Sequence, residues 1–155
     1  DQYVMREYLT YKLANLVTPM SFRARLARGT YVDAKSKKPI STHTALFLEH
    51  ENDMARRLGG RDVAVPQRLF KEFDQGALTT MMLLEYMLGN TDYSIWALHN
   101  VVIVQDKKRK LYPVPYDFDI SGMVRPPYAT PETVTWGAST ACSRLSTSSV
   151  SARLS

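Results

Sequence analysis

Apolar side chains recur at Met5, Leu9, Leu13 and Leu16, with Arg6, Glu7, Thr10 and Lys12 between them. Offsets of four, four and three predict an amphipathic helix, which Thr18 and Pro19 end. From 21 to 32 the period becomes two: Phe22, Ala24 and Leu26 alternate with Arg23, Arg25 and Ala27, and Thr30, Tyr31 and Val32 add strand formers. That alternation predicts a strand with one wet, basic face. The polar run 33–39 then reads as a hairpin loop into a second, antiparallel strand over 44–49. Asp53 is expected to cap a short helix ending at Leu58, with Gly59 and Gly60 as its stop. Residues 63–66 should be extended and 70–76 a connector. Residues 77–88 have almost no polar side, which predicts a helix buried all round at the centre of the core, stopped by Gly89 and Asn90. A run of β-branched residues at 101–104, a charged turn at 106–110 and a second strand over 111–116 predict another hairpin, half-buried.

Composition narrows the class. Of 155 residues, 45% are apolar and 23% charged, which excludes global disorder and fits one folded unit. The longest uncharged apolar run, 77–84, is far short of the ~20 residues that cross a bilayer, so no membrane span is expected. One cysteine, Cys142, makes neither an internal disulfide nor a metal cluster. The net charge of +5 suits an anionic partner without choosing one. From 129 to 155, seven of 27 residues are serine and five threonine without apolar periodicity, so that segment is expected to be a disordered tail after a domain over 1–128. No basic-then-apolar leader follows Asp1, and residue 1 is expected to be an interior position of a longer product. Compartment stays open.

The chemistry concentrates in one half. Gly89-Asn90-Thr91-Asp92 is followed by His99-Asn100, a strand hairpin, and Asp117-Phe118-Asp119. Carboxylates and an asparagine carbonyl gathered at strand ends suit a hard divalent cation, whose preferred donors are oxygens, and a carboxylate can also take a proton from a hydroxyl. Phosphoryl transfer uses both. In protein kinases a catalytic-loop aspartate, an asparagine, a hairpin and a second aspartate follow in that order. Here the order is Asp92, Asn100, hairpin, Asp117, but Asn100 lies eight residues after Asp92 rather than five, and no His-Arg precedes Asp92. Ordinary protein-kinase membership is therefore excluded.

Other readings stand beside these. An Asp-x-Asp at a strand end also caps turns. Asn90 reads as a helix stop rather than a ligand, and His99 as a packed or hydrogen-bonded residue rather than a base. His43 and His50 lack metal-ligand spacing. The basic runs 35–38 and 107–110 read as solvated hairpin tips, ahead of a nucleic-acid role. Arg23, Arg25 and Arg28 could line a phosphate path or simply be an exposed strand face. Tyr93 and Trp96 could shape a pocket, with packing the simpler account.

The segments 88–92, 99–103 and 111–119 resemble the CotH kinase-like family, atypical kinases that include spore-coat protein kinases. The likeness rests on a loop asparagine and aspartate after a buried helix, a second asparagine opening a strand, and a Pro-aromatic-Asp-x-Asp run after a hairpin. More weakly, 6–16 is similar to the family's Arg-containing helix and 45–49 to its strand ending in glutamate. The resemblance covers roughly 3–128. It implies an α+β, atypical protein-kinase-like fold, with a partial N-lobe antiparallel sheet and a helical C-lobe carrying the catalytic β-hairpin. It further implies an ATP- and Mg²⁺- (or Mn²⁺-) dependent phosphotransferase acting on a hydroxyl of a protein or small molecule. Asp92 would be the catalytic-loop aspartate, Asn100 and Asp117 metal ligands, Asp119 a supporting metal ligand, and Glu49 a polar partner on the nucleotide side. Two features depart from the family. The phosphate-anchoring lysine belongs to a segment before the helix near Tyr3, and the bias of 129–155 looks more like a shifted reading frame or an engineered end than a kinase C-lobe. The alternative is a non-catalytic, kinase-derived module binding protein or polyanion.

Overall fold

Tyr11 and Ala14, rather than the leucines around them, decide how the first helix sits. A computed structural model describes residues 2–127, and Tyr128 with the expected tail 129–155 lies outside the described residues. Helix α1 (Gln2–Val17) buries Thr10, Tyr11 and Ala14. The stripe expected to face inward turns mostly outward: Met5 and Leu9 are exposed and Leu16 is 85% exposed, while Leu13 packs partly against the core. Inward positions instead have partners that only tertiary structure supplies. Thr10 returns its hydroxyl to the Arg6 carbonyl at 3.0 Å. Tyr11 stacks edge-on against Phe118, ring centres 4.9 Å apart, and its hydroxyl accepts from the Asp117 N–H at 2.8 Å. A buried polar group so satisfied costs little, and Ala14 allows close approach.

Strands β1 (Ala24–Val32) and β2 (Pro39–Leu48) form the expected antiparallel hairpin, in register from Ala24 opposite Leu48 to Tyr31 opposite Ser41. Its turn follows from the polar run: the Asp33 carboxylate accepts from the Lys35 and Ser36 N–H groups, and Lys37 takes a left-handed backbone, φ 56°. β2 begins five residues earlier than expected. Helix α2 (Glu51–Arg57) is capped by His50 rather than Asp53. His50 is extended and its Nδ1 accepts from the Asn52 N–H at 3.2 Å, whereas Asp53 lies inside the first turn and pairs with Arg56.

Gly59, at φ 75°, ends α2, and Gly60 opens a strand the period-two pattern does not reveal, β3 (Gly60–Asp62). A Cβ at Gly60 would stand 2.5 Å from the Gln105 carbonyl oxygen, so glycine is what lets β3 dock on the next strand. Residues 63–66, expected to be extended, follow it outside any strand. After a 3-10 turn (Phe70–Glu72), helix α3 (Gln75–Leu88) starts at Asp74, whose carboxylate accepts from the Ala77 N–H at 2.8 Å, and stops at left-handed Gly89. It is not buried all round. Leu78, Met81, Leu84, Glu85 and Leu88 face inward, but Met82, Leu83, Tyr86 and Met87 are exposed.

Strands β4 (Val101–Asp106) and β5 (Leu111–Pro115) complete an antiparallel sheet ordered β3-β4-β5. This hairpin is covered on both sides rather than half-buried. Val102, Val104 and Val114 join one cluster with Tyr11, Phe22, Met54, Leu84, Leu88 and Phe118. Val101, Ile103 and Leu111 join a second with Phe73, Leu78, Met81 and Ile95. Two-faced burial explains why 101–104 is an unbroken apolar run. The described residues form a mixed α+β fold of three α-helices and two small antiparallel sheets, and no helix among them is long and apolar enough to cross a membrane.

Candidate functional site

The loop after α3 is organised by asparagine. The Asn90 side-chain oxygen accepts from the Asp92 N–H at 3.2 Å, an Asx turn that fixes the chain just past the helix end. Ser94 and His99 exchange two backbone hydrogen bonds of 2.9 Å, closing a small loop, and Leu98 and Asn100 then take left-handed backbones, φ 55° and 53°. Asn100 Nδ2 donates to the Asp92 backbone oxygen at 2.8 Å and to its carboxylate Oδ2 at 3.0 Å. The other carboxylate oxygen meets His99 Nε2 at 3.0 Å. His99 is thus hydrogen-bonded as expected, and exposed.

The open end of the β4–β5 ladder brings in the third residue. Tyr116 N–H donates to the Asn100 carbonyl at 3.0 Å, and the next residue, Asp117, is again left-handed, φ 59°. Strained backbones clustered where chain ends meet are a recurring property of functional sites, and asparagine and aspartate tolerate that conformation best among residues with side chains. Burial pushes the Asp117 carboxyl above the usual carboxylate range, the charges of Asp119 and Asp92 add to the rise, and His99 opposes it. Asp92, Asn100, Asp117 and Asp119 are therefore brought into one neighbourhood.

Glu7 carried no mark in the sequence as a member of this neighbourhood. From α1 it faces Asp117 and Asp119, and burial first, then their charges, push its carboxyl up to about 7. Tyr11, one turn on, holds the Asp117 N–H, and burial drives its phenol well above the ordinary value. Only their spacing of four on one helix links them in sequence.

Glu49 lies in a different environment. Its carboxylate takes the Arg57 guanidinium at 2.7 and 2.9 Å and the Arg23 N–H at 3.2 Å, and these bonds, with Arg57 foremost, hold it below the usual range. It borders a cleft of about 580 Å³ between α1 and the β1–β2 hairpin, where Lys12, Arg23 and Arg25 supply positive charge.

The carboxylates around Asp117 and the Asn100 side-chain carbonyl offer oxygen donors, the chemistry a hard divalent cation prefers. Asp92 already spends both carboxylate oxygens on His99 and Asn100, while Asn100, donating through Nδ2, keeps its carbonyl oxygen as an acceptor. Among the described residues, no three His, Cys, Asp or Glu side chains are grouped so as to surround one ion. Comparison with protein-family models, curated proteins and solved structures gives no match.

Proposed function

We propose that the chain is the core of an atypical kinase-like phosphotransferase of the CotH type, dependent on ATP and Mg²⁺ or Mn²⁺, passing a phosphoryl group to a hydroxyl of a protein or small molecule. The observation that carries this reading is the convergence of Asp92, Asn100 and Asp117, eight and seventeen residues apart, through the Asn100–Asp92 hydrogen bonds and the charge of Asp92 on Asp117. Asp117, with Asp119 and the Asn100 carbonyl, would hold the cation, which when bound neutralises phosphate charge. Asp92, fixed by Asn100 and His99, would orient the acceptor hydroxyl and take its proton. Glu49, which borders the basic cleft, would be the polar partner on the nucleotide side. Carboxyls that crowd one another, as Glu7, Asp117 and Asp119 do, gain most from a cation among them.

A second reading is favoured by specific observations. Both Asp92 carboxylate oxygens are engaged, Glu49 is clamped by Arg57, and the cleft holding Lys12, Arg23 and Arg25 suits an anionic partner. These fit a non-catalytic, kinase-derived module that binds protein or polyanion. Calorimetric titration of Mg·ATP into the chain separates the two. Saturable heat that disappears in Asp117→Ala and in Asn100→Ala supports the phosphotransferase, and the absence of heat with the unaltered chain supports the module.

A further inference from the structure

Beside the same loop, a cleft of about 710 Å³ runs along the end of α3, and Asp117 is not among its lining residues. Phe70, Tyr86, Tyr93 and Trp96 line it, and Glu85 and Asn90 stand among them. Glu85 is wholly buried and Asn90 is 4% exposed. Both carboxylate oxygens of Glu85 and the Asn90 Nδ2 are buried without a hydrogen-bond partner. Asn90 is near enough to act on the Glu85 carboxyl, without a bond of good geometry between them. An unsatisfied buried carboxylate is expensive, and native proteins keep few of them. Here the missing partner is a donor, and the surrounding faces are aromatic.

We infer that this cleft is a binding site for a guanidinium group on a short apolar stem, with Glu85 as its counter-ion and Trp96, Tyr93 and Tyr86 as its walls. Three features select this chemistry. A carboxylate offers two parallel acceptors, which a planar guanidinium fills with two N–H bonds. Aromatic faces attract cations and stack on a flat one more readily than on an ammonium. The volume suits a small molecule or one side chain. Asn90, whose oxygen is already held by the Asp92 N–H, would turn its amide onto the second edge of Glu85 and keep the carboxylate ionised in the complex. The inference does not depend on phosphotransfer, because none of these side chains belongs to the Asp117 cluster.

Butylguanidinium titrated into the chain, followed by the Trp96 indole signal in NMR, tests it, with butylurea as the flat neutral control. The guanidinium is expected to saturate at about millimolar dissociation constant, the range for so small a ligand, and butylurea not to bind. Glu85→Gln should weaken binding at least tenfold and Trp96→Ala several-fold. Trp96 is half exposed, so that variant serves even if Glu85→Gln does not fold. Asp117→Asn should leave the affinity unchanged. Titrating an arginine-containing pentapeptide shows the source: tighter binding than butylguanidinium identifies an arginine side chain, and weaker binding a free guanidinium compound. No saturation with either ligand, equal affinity in Trp96→Ala, or loss in Asp117→Asn overturns the inference.

Discussion

Two glutamates, Glu7 on α1 and Glu85 on α3, both have carboxyls raised from 4.5 to about 7, and for different reasons. Glu85 is raised by burial, which Asn90 partly offsets. Glu7 is raised by burial and then by Asp117 and Asp119. One is an isolated charge among apolar and aromatic groups, the other a member of a crowd of like charges. The first is relieved by a donor or by protonation, the second by any cation that enters the crowd.

The largest expected effect lies at Glu85. A carboxyl whose folded-state pKa exceeds its unfolded value destabilises the fold when ionised, so its cost is full above about 7, shrinks as pH falls, and is gone below 4.5. At roughly 1.4 kcal/mol per pKa unit, Glu85→Met should raise unfolding free energy by about 2–3 kcal/mol at pH 8 and by far less at pH 4.5. Urea denaturation at the two pH values measures this. Equal gains at both would mean packing, not charge, sets the cost.

Tyr11→Phe keeps the core volume but leaves the Asp117 N–H without its acceptor, and should cost about 1–2 kcal/mol, read as a lower denaturation midpoint. Glu7→Gln should stabilise the chain at pH 8 by about 1 kcal/mol, less than Glu85→Met because Glu7 is only partly buried and solvent screens it. The comparison sharpens in a double-mutant cycle. Glu7→Gln and Asp119→Asn should be non-additive, since each relieves the other, whereas Glu85→Met and Asp119→Asn should add. The smallest effect is that of added Mg²⁺ at pH 7.5. It should raise the melting temperature by a degree or two in the unaltered chain and in Glu85→Met, and not in Asp117→Asn.

Legibility of this fold followed the range of the forces involved. Both long hairpins could be read because their turns are local chemistry: Asp33 and Asp106 each bond to backbone N–H groups a few residues on, and Lys37 and Arg109 take the left-handed step. Helix α1 was readable as a helix, but its inward face was not, because Tyr11 faces inward for a partner 106 positions away. The wet half of α3 was hidden for the same reason: Met82, Leu83, Tyr86 and Met87 are apolar enough for a core, and only the tertiary structure leaves them exposed among the described residues. Strand β3 is three residues long, too short for a period to show. In the site, the order Asp92, Asn100, hairpin, Asp117 was visible because it lies along one stretch of chain. Glu7 reaches the same place from the opposite end of the described residues, through folding alone.

The β4–β5 ladder separates its two ends by chemistry. Its open end carries Asn100 and Asp117, while its closed end carries a turn in which the Asp106 side chain accepts from the Lys110 N–H and Lys110 pairs with Asp74. Apolar clusters on both faces hold the strands in step, since a slip of one residue would invert every side chain between them. Residues 107–109 are therefore a natural place for splicing in an epitope or a fluorophore: the graft would hang in solvent, with the acidic cluster undisturbed at the far end of the ribbon.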